Sequence, residues 1–455
     1  MPELKVIRFV RIMCLAYVYL IFTADASADR PNVILVMADD LGYGDIGCYD
    51  GWIKTPHIDS IARNGVRFTD YHSNGNVCSP TRAALMTGLY QQKVGIPFVV
   101  VAAENNVNHF AGIQPSETTL AEVMKSGGYA TGIFGKWHLG YYPRYNPVRH
   151  GFDEFVGYVS GNVDFFSHID QAGNLDWWRA TQLKNEDGYS THLITAHATA
   201  FIDRHANKKP FFLYVPHEAP HYPYQGPADK ADRTVGGEFE NHGSRVDKKQ
   251  AYREMVVEMD KGVGEILKAL QRNKIEDNTI VIFCSDNGAT SLGSNGQLRG
   301  TKGTNFEGGH RVPCVVQWPA KFPKNKTNPQ LMLSMDWMAT ILGITGLREK
   351  CSRQLDGHDL TEYILETRRP GERTVMWGDS TLRSGKWKLM LPQKQHDELG
   401  LYDLSQDISE SKNLAAKYPA VVELLVADLK ELSDDAEMRA TRQPVEAPDT
   451  PNSAK

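Results

Sequence analysis

Four continuous apolar runs constrain this chain more than any other feature: Asn32 to Met37, Ala130 to Phe134, Phe211 to Val215 and Thr279 to Cys284. Each reads as a strand, and helical patterns lie between them, which is the alternation of an α/β fold built on a large, mostly parallel β-sheet flanked by helices. One such helix is expected from a Ser116 cap through Met124, closed by Gly127-Gly128. Another spans Ala251 to Leu270, with Met255, Met259, Val263, Ile266, Leu267 and Leu270 on its apolar stripe. Each run ends in residues that carry chemistry: Asp39-Asp40 after the first, Gly135-Lys136-Trp137-His138 after the second, His217 and His221 after the third, Asp286-Asn287 after the fourth. An open parallel sheet gathers its ligand beyond the carboxyl ends of the strands, so these distant residues are expected to converge.

The chain of 455 residues is long for one core, and a large domain with a smaller appendage is expected. Character changes near Arg368-Arg369-Pro370-Gly371, after which Thr374 to Trp377, Trp387 to Leu391 and Leu401 to Leu404 read as short strands. Tyr418 to Leu432 then reads as an amphipathic helix opened by Pro419, with Val421, Val422, Leu425, Leu429 and Leu432 on its apolar side. Residues 444–455 have a disordered composition. At the other end, Lys5, Arg8 and Arg11 precede an apolar run from Ile12 to Phe22 and an Ala26-Ser27-Ala28 cleavage site. Residues 1–28 are therefore read as a signal peptide cleaved after Ala28, giving an exported, periplasmic or secreted protein. No later stretch is long and apolar enough for a membrane span, so no stable anchor is expected. A net charge of −5 offers no footprint for nucleic acid. Cleavage removes Cys14 and leaves Cys48, Cys78, Cys284, Cys314 and Cys351, whose spacing shows no disulfide framework. Cys284 and Cys314 sit in apolar runs and are expected to be buried.

The segment Val77 to Gly88, VCSPTRAALMTG, places Cys78 where a helix begins, with Ser79 as a good N-cap and Pro80 as a good first helical residue. Unpaired N–H groups and the positive end of the dipole make that a place for an anion. Arg82, one turn on, adds a guanidinium fork on the same side. Asp39, Asp40, Asp286 and Asn287 form a hard, all-oxygen ligand set, which favours Ca²⁺ with Mg²⁺ as the alternative.

Cys78 to Gly88 fits C-x-P-x-R-x-x-L-x-T-G at every fixed position, and the chain resembles a type I, arylsulfatase-like sulfatase of the alkaline phosphatase superfamily from Asn32 to about Leu360. Phe134 to Gly140 resembles that family's G-K-W-H-x-G, Pro220 to Pro223 its P-H-x-P, and Lys302 to Arg311 its K-G-x-x-x-E-G-G-x-R. The resemblance implies a catalytic domain at 29–368 and a smaller α+β subdomain at 369–443, an antiparallel sheet packed by a helix. It implies that a formylglycine-generating or sulfatase-maturating enzyme oxidises Cys78 to Cα-formylglycine, whose hydrate attacks sulfur. It further implies that Asp39, Asp40, Asp286, Asn287 and residue 78 hold the metal. Arg82, Lys136, His221 and Lys302 would grip the sulfate, His138 would take a proton from the second hydroxyl, and Lys302 or His221 would protonate the leaving group.

His217, five residues from the end of its run and next to Glu218, reads as structural. Gly151 to Phe155 resembles a recurrent sulfatase segment. The stretch Ser160 to Trp178 brings Asn162, Asp164, His168, Asp176, Trp177 and Trp178, which suit either gripping a sugar ring or packing the loop. Residues 225–249 read as a lid or a disordered excursion. The expected function is removal of sulfate from a sulfated saccharide or aryl sulfate. The alternatives are a formylglycine-dependent phosphonate monoester hydrolase or phosphodiesterase, and a non-catalytic exported metal- or glycan-binding protein with unconverted Cys78.

Overall fold

In the computed structural model, which describes residues 30–393 and 397–440, every residue of the strand Asn32–Ala38 is buried and the strand lies at the middle of a ten-stranded sheet. The expected signal segment 1–28 and the tail 444–455 lie outside the described residues. Parallel neighbours flank the central strand, Phe211–Pro216 on one side and Thr279–Ser285 on the other. Ala130–Lys136 and then Glu154–Tyr158 continue the parallel set beyond Phe211–Pro216. Cys314–Gln317 runs antiparallel to Thr279–Ser285, and the ribbon Trp178–Arg179 and Gln182–Leu183 closes the opposite edge in antiparallel pairing. All four runs read from the sequence are thus strands, and they occupy adjacent places in the sheet.

Side chains of the central strand alternate between two cores. Val33, Leu35 and Met37 pack with the helices Cys78–Thr87, Leu120–Ser126 and Asp336–Ile344 on one face. Ile34, Val36 and Ala38 pack with Pro56–Arg63, Ser190–His205 and Lys248–Arg272 on the other. Burial on both faces is why these strands are continuously apolar rather than alternating.

Two helix starts differ from expectation. The helix expected from Ser116 begins at Leu120, because Thr119 Oγ1 accepts from Glu122 N and Glu122 returns a carboxylate to Thr119 N, a complete capping box. The helix Cys78–Thr87 has Val77 rather than Ser79 at its N-cap; Ser79 Oγ instead accepts from Val100 N at 3.1 Å. The long helix extends past its expected ends to Lys248–Arg272, with Asp247 capping it through Gln250 N.

The C-terminal sheet has four antiparallel strands, Thr374–Trp377, Thr381–Ser384, Trp387–Met390 and Gly400–Asp403. The second, Thr-Leu-Arg-Ser, has no apolar run to announce it in the sequence. Leu425 and Leu429 of the helix Pro419–Ala440 bury against this sheet together with Ala84 and Tyr90 of the large unit. Charge also joins the two: buried Lys388 lies 2.9 Å from Glu307 and 2.8 Å from Glu410, while Arg383 pairs with Asp70 at 2.7 Å.

Of residues 225–249, which were expected to form a lid or a disordered excursion, 225–247 run an irregular but tethered course and 248–249 open the long helix. Asp164 Oδ2 accepts from Gln225 Nε2, Asp232 N and Arg233 N, and the buried Arg233 donates to the carbonyls of Ile169 and Asn241. Cys48, Cys78, Cys284, Cys314 and Cys351 are free thiols, with Cys284 and Cys314 buried across adjacent strands. Among the described residues no helix is long and apolar enough to cross a membrane.

Asp260, buried on the long helix, accepts from His57 N at 3.1 Å and Ile58 N at 2.8 Å and so caps the helix Pro56–Arg63 from outside. Burial raises its pKa from 3.8 to about 6 despite those two donors. A raised carboxyl pKa means the folded protein holds the proton more tightly than the unfolded chain, so this group's contribution is greatest below pH 3.8 and is lost as pH climbs to about 6. Asp260→Asn keeps an acceptor without the charge. Chemical denaturation of both proteins should show the variant gaining on the parent as pH rises through that window; a gap independent of pH would refute the assignment.

Candidate active site

The four strand ends deliver their polar residues to one buried crevice, as the parallel topology requires. Asp39, Asp40, Cys78 and His221 each present a ligand atom within 4.8 Å of the others. Asp286 and Asn287 join them from the neighbouring strand: Asp40 N donates to Asp286 Oδ1 at 3.2 Å, and Asn287 Nδ2 donates to Asp40 Oδ1 at 2.7 Å. All six are at least nine-tenths buried.

Cations surround these carboxylates. Lys136 Nζ donates to Asp39 Oδ2 at 2.5 Å, Lys302 Nζ to Asp40 Oδ2 at 2.9 Å, and Arg82 Nη2 to Asp286 Oδ2 at 2.7 Å with Nε at 3.1 Å. Burial alone would keep the Asp40 carboxyl protonated, but the Lys302 ammonium and the hydrogen bond from Asn287 Nδ2 outweigh it and bring its pKa down to about 2. Asp286 keeps a raised pKa of about 6, through burial first and the nearby Asp39 charge second. The Cys78 Sγ lies 3.4 Å from Asp39 Oδ1, and burial together with that carboxylate pushes its pKa up, so the unmodified thiol is protonated and a weak nucleophile.

The two histidines are fixed as neutral tautomers by main-chain carbonyls, which only accept. His138 Nε2 is 2.7 Å from Val100 O, so it carries the proton, and Nδ1 is a buried acceptor with no partner among the described residues. His221 Nδ1 is 2.7 Å from Tyr222 O, which leaves Nε2 as the acceptor, 3.8 Å from Asp40 Oδ2. Burial lowers both imidazole pKa values, with further lowering from Lys136 at His138 and from Lys302 at His221. Asp40 (φ 68°) and His138 (φ 58°) both sit in the left-handed region, a backbone strain typical of functional positions.

Three carboxylates and Asn287 suit a hard divalent cation. Asn287 Oδ1 is buried and receives no hydrogen bond among the described residues, as expected of an oxygen that serves as a ligand. A second cluster of His72, Glu307 and His310 also converges, but Lys388 Nζ already lies 2.9 Å from Glu307 Oε1 and 3.2 Å from His310 Nε2. Its cation is an ammonium group.

Asp39, Asp40, Cys78, Arg82, Lys136, His221, Asp286, Asn287 and Lys302 therefore meet in this crevice, His138 lies near enough to feel the charges of Lys136 and Arg82, and His217 is not among the clustered ligand atoms. That ring is buried with no hydrogen-bond partner on either nitrogen among the described residues, and burial lowers its pKa to about 3. The tryptophans divide: Trp177 is buried and stacks on His168 at 4.2 Å, whereas half-buried Trp178 lines a cavity.

Sequence reading missed the groups that hold the ligands in place. Tyr252 Oη donates to Asp45 Oδ2 at 2.5 Å and lies 3.1 Å from Asp40 O, bracing the strained Asp40 turn. On the helix its hydroxyl gives no sequence signal, since Tyr252 fits the apolar stripe equally well. Val100 acts through a carbonyl, which no side-chain pattern reports. The Asp286-Asn287 turn is locked from behind by close approach: a Cβ at Gly288 would lie 1.8 Å from Gly308 O, so the Glu307-Gly308-Gly309 element packs directly on it.

The sulfatase family model matches residues 31–347 of the chain that builds this crevice. N-acetylgalactosamine-6-sulfatase from Homo sapiens is 34% identical over 368 residues, covering 76% of this chain and 68% of that protein. Arylsulfatase A from Bos taurus is 30% identical over 464 residues, covering 90% and 88%. The solved structure of Ps i-CgsB in complex with k-i-k-neocarrahexaose superposes with a TM-score of 0.78 at 28% identity, covering 90% of this chain and 94% of that one. The phosphonate monoester hydrolase of Agrobacterium radiobacter shares the fold at a TM-score of 0.65 and 19% identity, covering 90% and 96%.

Tyr252→Phe should cost about 1–3 kcal/mol of stability, because Asp45 keeps its burial and loses a donor. Urea denaturation of parent and variant measures it; no change would show that the hydroxyl does not brace the turn.

Proposed function

The chain belongs to the sulfatase family, and from that premise we propose that it hydrolyses the sulfate ester of a sulfated saccharide, using a formylglycine made from Cys78. The observation that carries this reading is the convergence of Asp39, Asp40, Asp286 and Asn287 on Cys78 inside a ring of Arg82, Lys136 and Lys302. A saccharide is favoured as substrate because similar proteins include an N-acetylgalactosamine-6-sulfatase and a structure in complex with neocarrahexaose.

Oxidised by a maturating enzyme, residue 78 supplies a hydrated aldehyde as nucleophile, a job the buried, protonated thiol cannot do. Asp39, Asp40, Asp286 and Asn287 would hold a divalent cation, Ca²⁺ in preference to Mg²⁺, and that ion supplies Lewis-acid polarisation of the sulfate group. Lys136 and Arg82 pair with and orient the carboxylates of Asp39 and Asp286, and together with Lys302 they place three cationic groups around the position an anionic ester would take. His138 holds its proton on Nε2 against Val100 O, so Nδ1 is the base that removes a proton from the second hydroxyl. His221 has committed its proton at Nδ1 to Tyr222 O, so Lys302 is assigned as the acid that protonates the leaving oxygen. Export with cleavage after Ala28 completes the reading, and residues 369–443 are proposed as a separate subdomain that buttresses the site.

Mass spectrometry of the peptide containing residue 78, from a host with a competent maturation system, should show formylglycine; cysteine there would sink the mechanism. Lys302→Ala should lower turnover of a saccharide sulfate by about 10²–10⁴-fold but lower 4-nitrophenyl sulfate turnover far less, since nitrophenolate leaves without a proton. Equal losses on both would move the acid role away from Lys302. Sulfate and phosphate esters of one alcohol, compared at equal concentration, separate the sulfatase reading from phosphonate or phosphodiester hydrolysis.

A further inference from the structure

The segments around His138 also border a cavity of about 500 Å³ whose chemical character differs from that of the charged crevice. It is within the roughly 300–1,000 Å³ of small-molecule sites. Aromatic surface dominates it: half-buried Trp178, Phe110, and a Tyr141–His109 stack with ring centroids 4.7 Å apart. Its charged lining side chains are Glu104, Asp170 and Asp176, and among the described residues no lysine or arginine lines it.

The three chain segments that enclose His138 also build this cavity. Val100 O accepts from His138 Nε2, and Ala102, two residues on, lines the wall. Tyr141 comes three residues after His138. A Cβ at Gly161 would touch the His138 ring at 3.0 Å, and Val159, two residues earlier, lines the wall. The cavity therefore sits one segment away from the reacting centre, beyond the carboxyl ends of the strands Ala130–Lys136 and Glu154–Tyr158.

Resting on the sulfatase reading above, we propose that this cavity binds an uncharged sugar ring of an oligosaccharide whose sulfated ring occupies the Cys78 crevice. A pyranose offers flat faces of C–H groups to aromatic rings and equatorial hydroxyls to carboxylates, which is the pairing this wall presents. Free donors and acceptors are at hand: Glu104 is exposed, and His109, with Nδ1 committed to Val101 O, keeps Nε2 as an acceptor. Arg233 lies near Asp170 behind the wall, but the lining itself carries carboxylates and no cation, which disfavours a second sulfate or a uronate here, so the cavity selects the neighbour of the sulfated ring by charge. Trp178 is held for the task by its Nε1–H donating to Asp176 Oδ1 at 2.5 Å, while Asp176 Oδ2 accepts from Ser160 N.

The test uses the full, matured chain and three neutral probes free of uronate: desulfated carrageenan, keratan and fucan tetrasaccharides, with their sulfated parents. Binding is monitored by tryptophan fluorescence and titration calorimetry, and 4-methylumbelliferyl sulfate turnover is measured in parallel. At least one neutral probe should bind the parent protein, and Phe110→Ala, at a side chain already 39% exposed, should weaken it at least fivefold with aryl sulfate turnover within twofold of the parent. Glu104→Lys should shift preference toward the sulfated parents. Failure of all three probes to bind, or binding untouched by both Phe110→Ala and Trp178→Ala, overturns the subsite. Absence of aryl and saccharide sulfate turnover in protein with confirmed formylglycine overturns the sulfatase reading instead, and leaves the binding result to stand by itself.

Discussion

Three carboxylates cannot share a dry crevice unaided. Asp39, Asp40 and Asp286 are each at most 1% exposed, and in such a medium their mutual repulsion would protonate or expel them. Arg82, Lys136 and Lys302 remove that problem by pairing with Asp286, Asp39 and Asp40 respectively. The pairing runs across elements that are distant in sequence, from the helix Cys78–Thr87, the strand Ala130–Lys136 and the loop before Glu307. The charge constraint is therefore also a tertiary constraint, because an error in the placement of any of these elements strands a buried charge.

Backbone geometry carries the rest. Asp40 and His138 accept left-handed conformations because surrounding contacts outweigh the strain: Tyr252 and Asp286 hold the first, and Val100 O and the Gly161 contact hold the second. The C-terminal sheet contributes at longer range. Lys388 anchors Glu307, Glu410 accepts from Glu307 N, and the Glu307-Gly308-Gly309 turn packs on the Asp286-Asn287 loop. The C-terminal sheet region thus reaches the Asp286-Asn287 loop through a buried ammonium and a buried carboxylate, Lys388 and Glu410.

The four apolar runs made the sheet legible because burial on both faces leaves no polar alternation to misread; the run ends named Asp39, Asp40, Lys136, His138, His221, Asp286 and Asn287, while Cys78, Arg82 and Lys302 were read from the motif segments at Cys78 to Gly88 and Lys302 to Arg311. Helix starts were less legible: Ser116 and Thr119 are both good caps, and only the reciprocal Glu122 contact distinguishes them. Ser79 looked like a cap and instead receives Val100 N, a long-range contact that local propensity does not encode. The strand Thr381–Ser384 escaped because its pairing partners on both sides, not its own composition, create it. Tyr252 and Val100 were invisible for a related reason, since one resembles core and the other acts through its main chain.

The sheet separates what must stay constant from what is free to vary. The crevice sits at the central strands Asn32–Ala38, Phe211–Pro216 and Thr279–Ser285, each of which is paired on both sides within the sheet. The aromatic cavity lies toward the other edge, where the short ribbon Trp178–Arg179 and Gln182–Leu183 and the loops after Lys136 and Tyr158 carry few ladder bonds. Substitution at Phe110 or Glu104 changes an exposed surface, whereas substitution at Arg82 or Lys136 unbalances a buried one. Physical tolerance to change therefore rises from the crevice toward the cavity, where a substitution meets solvent rather than a buried charge partner.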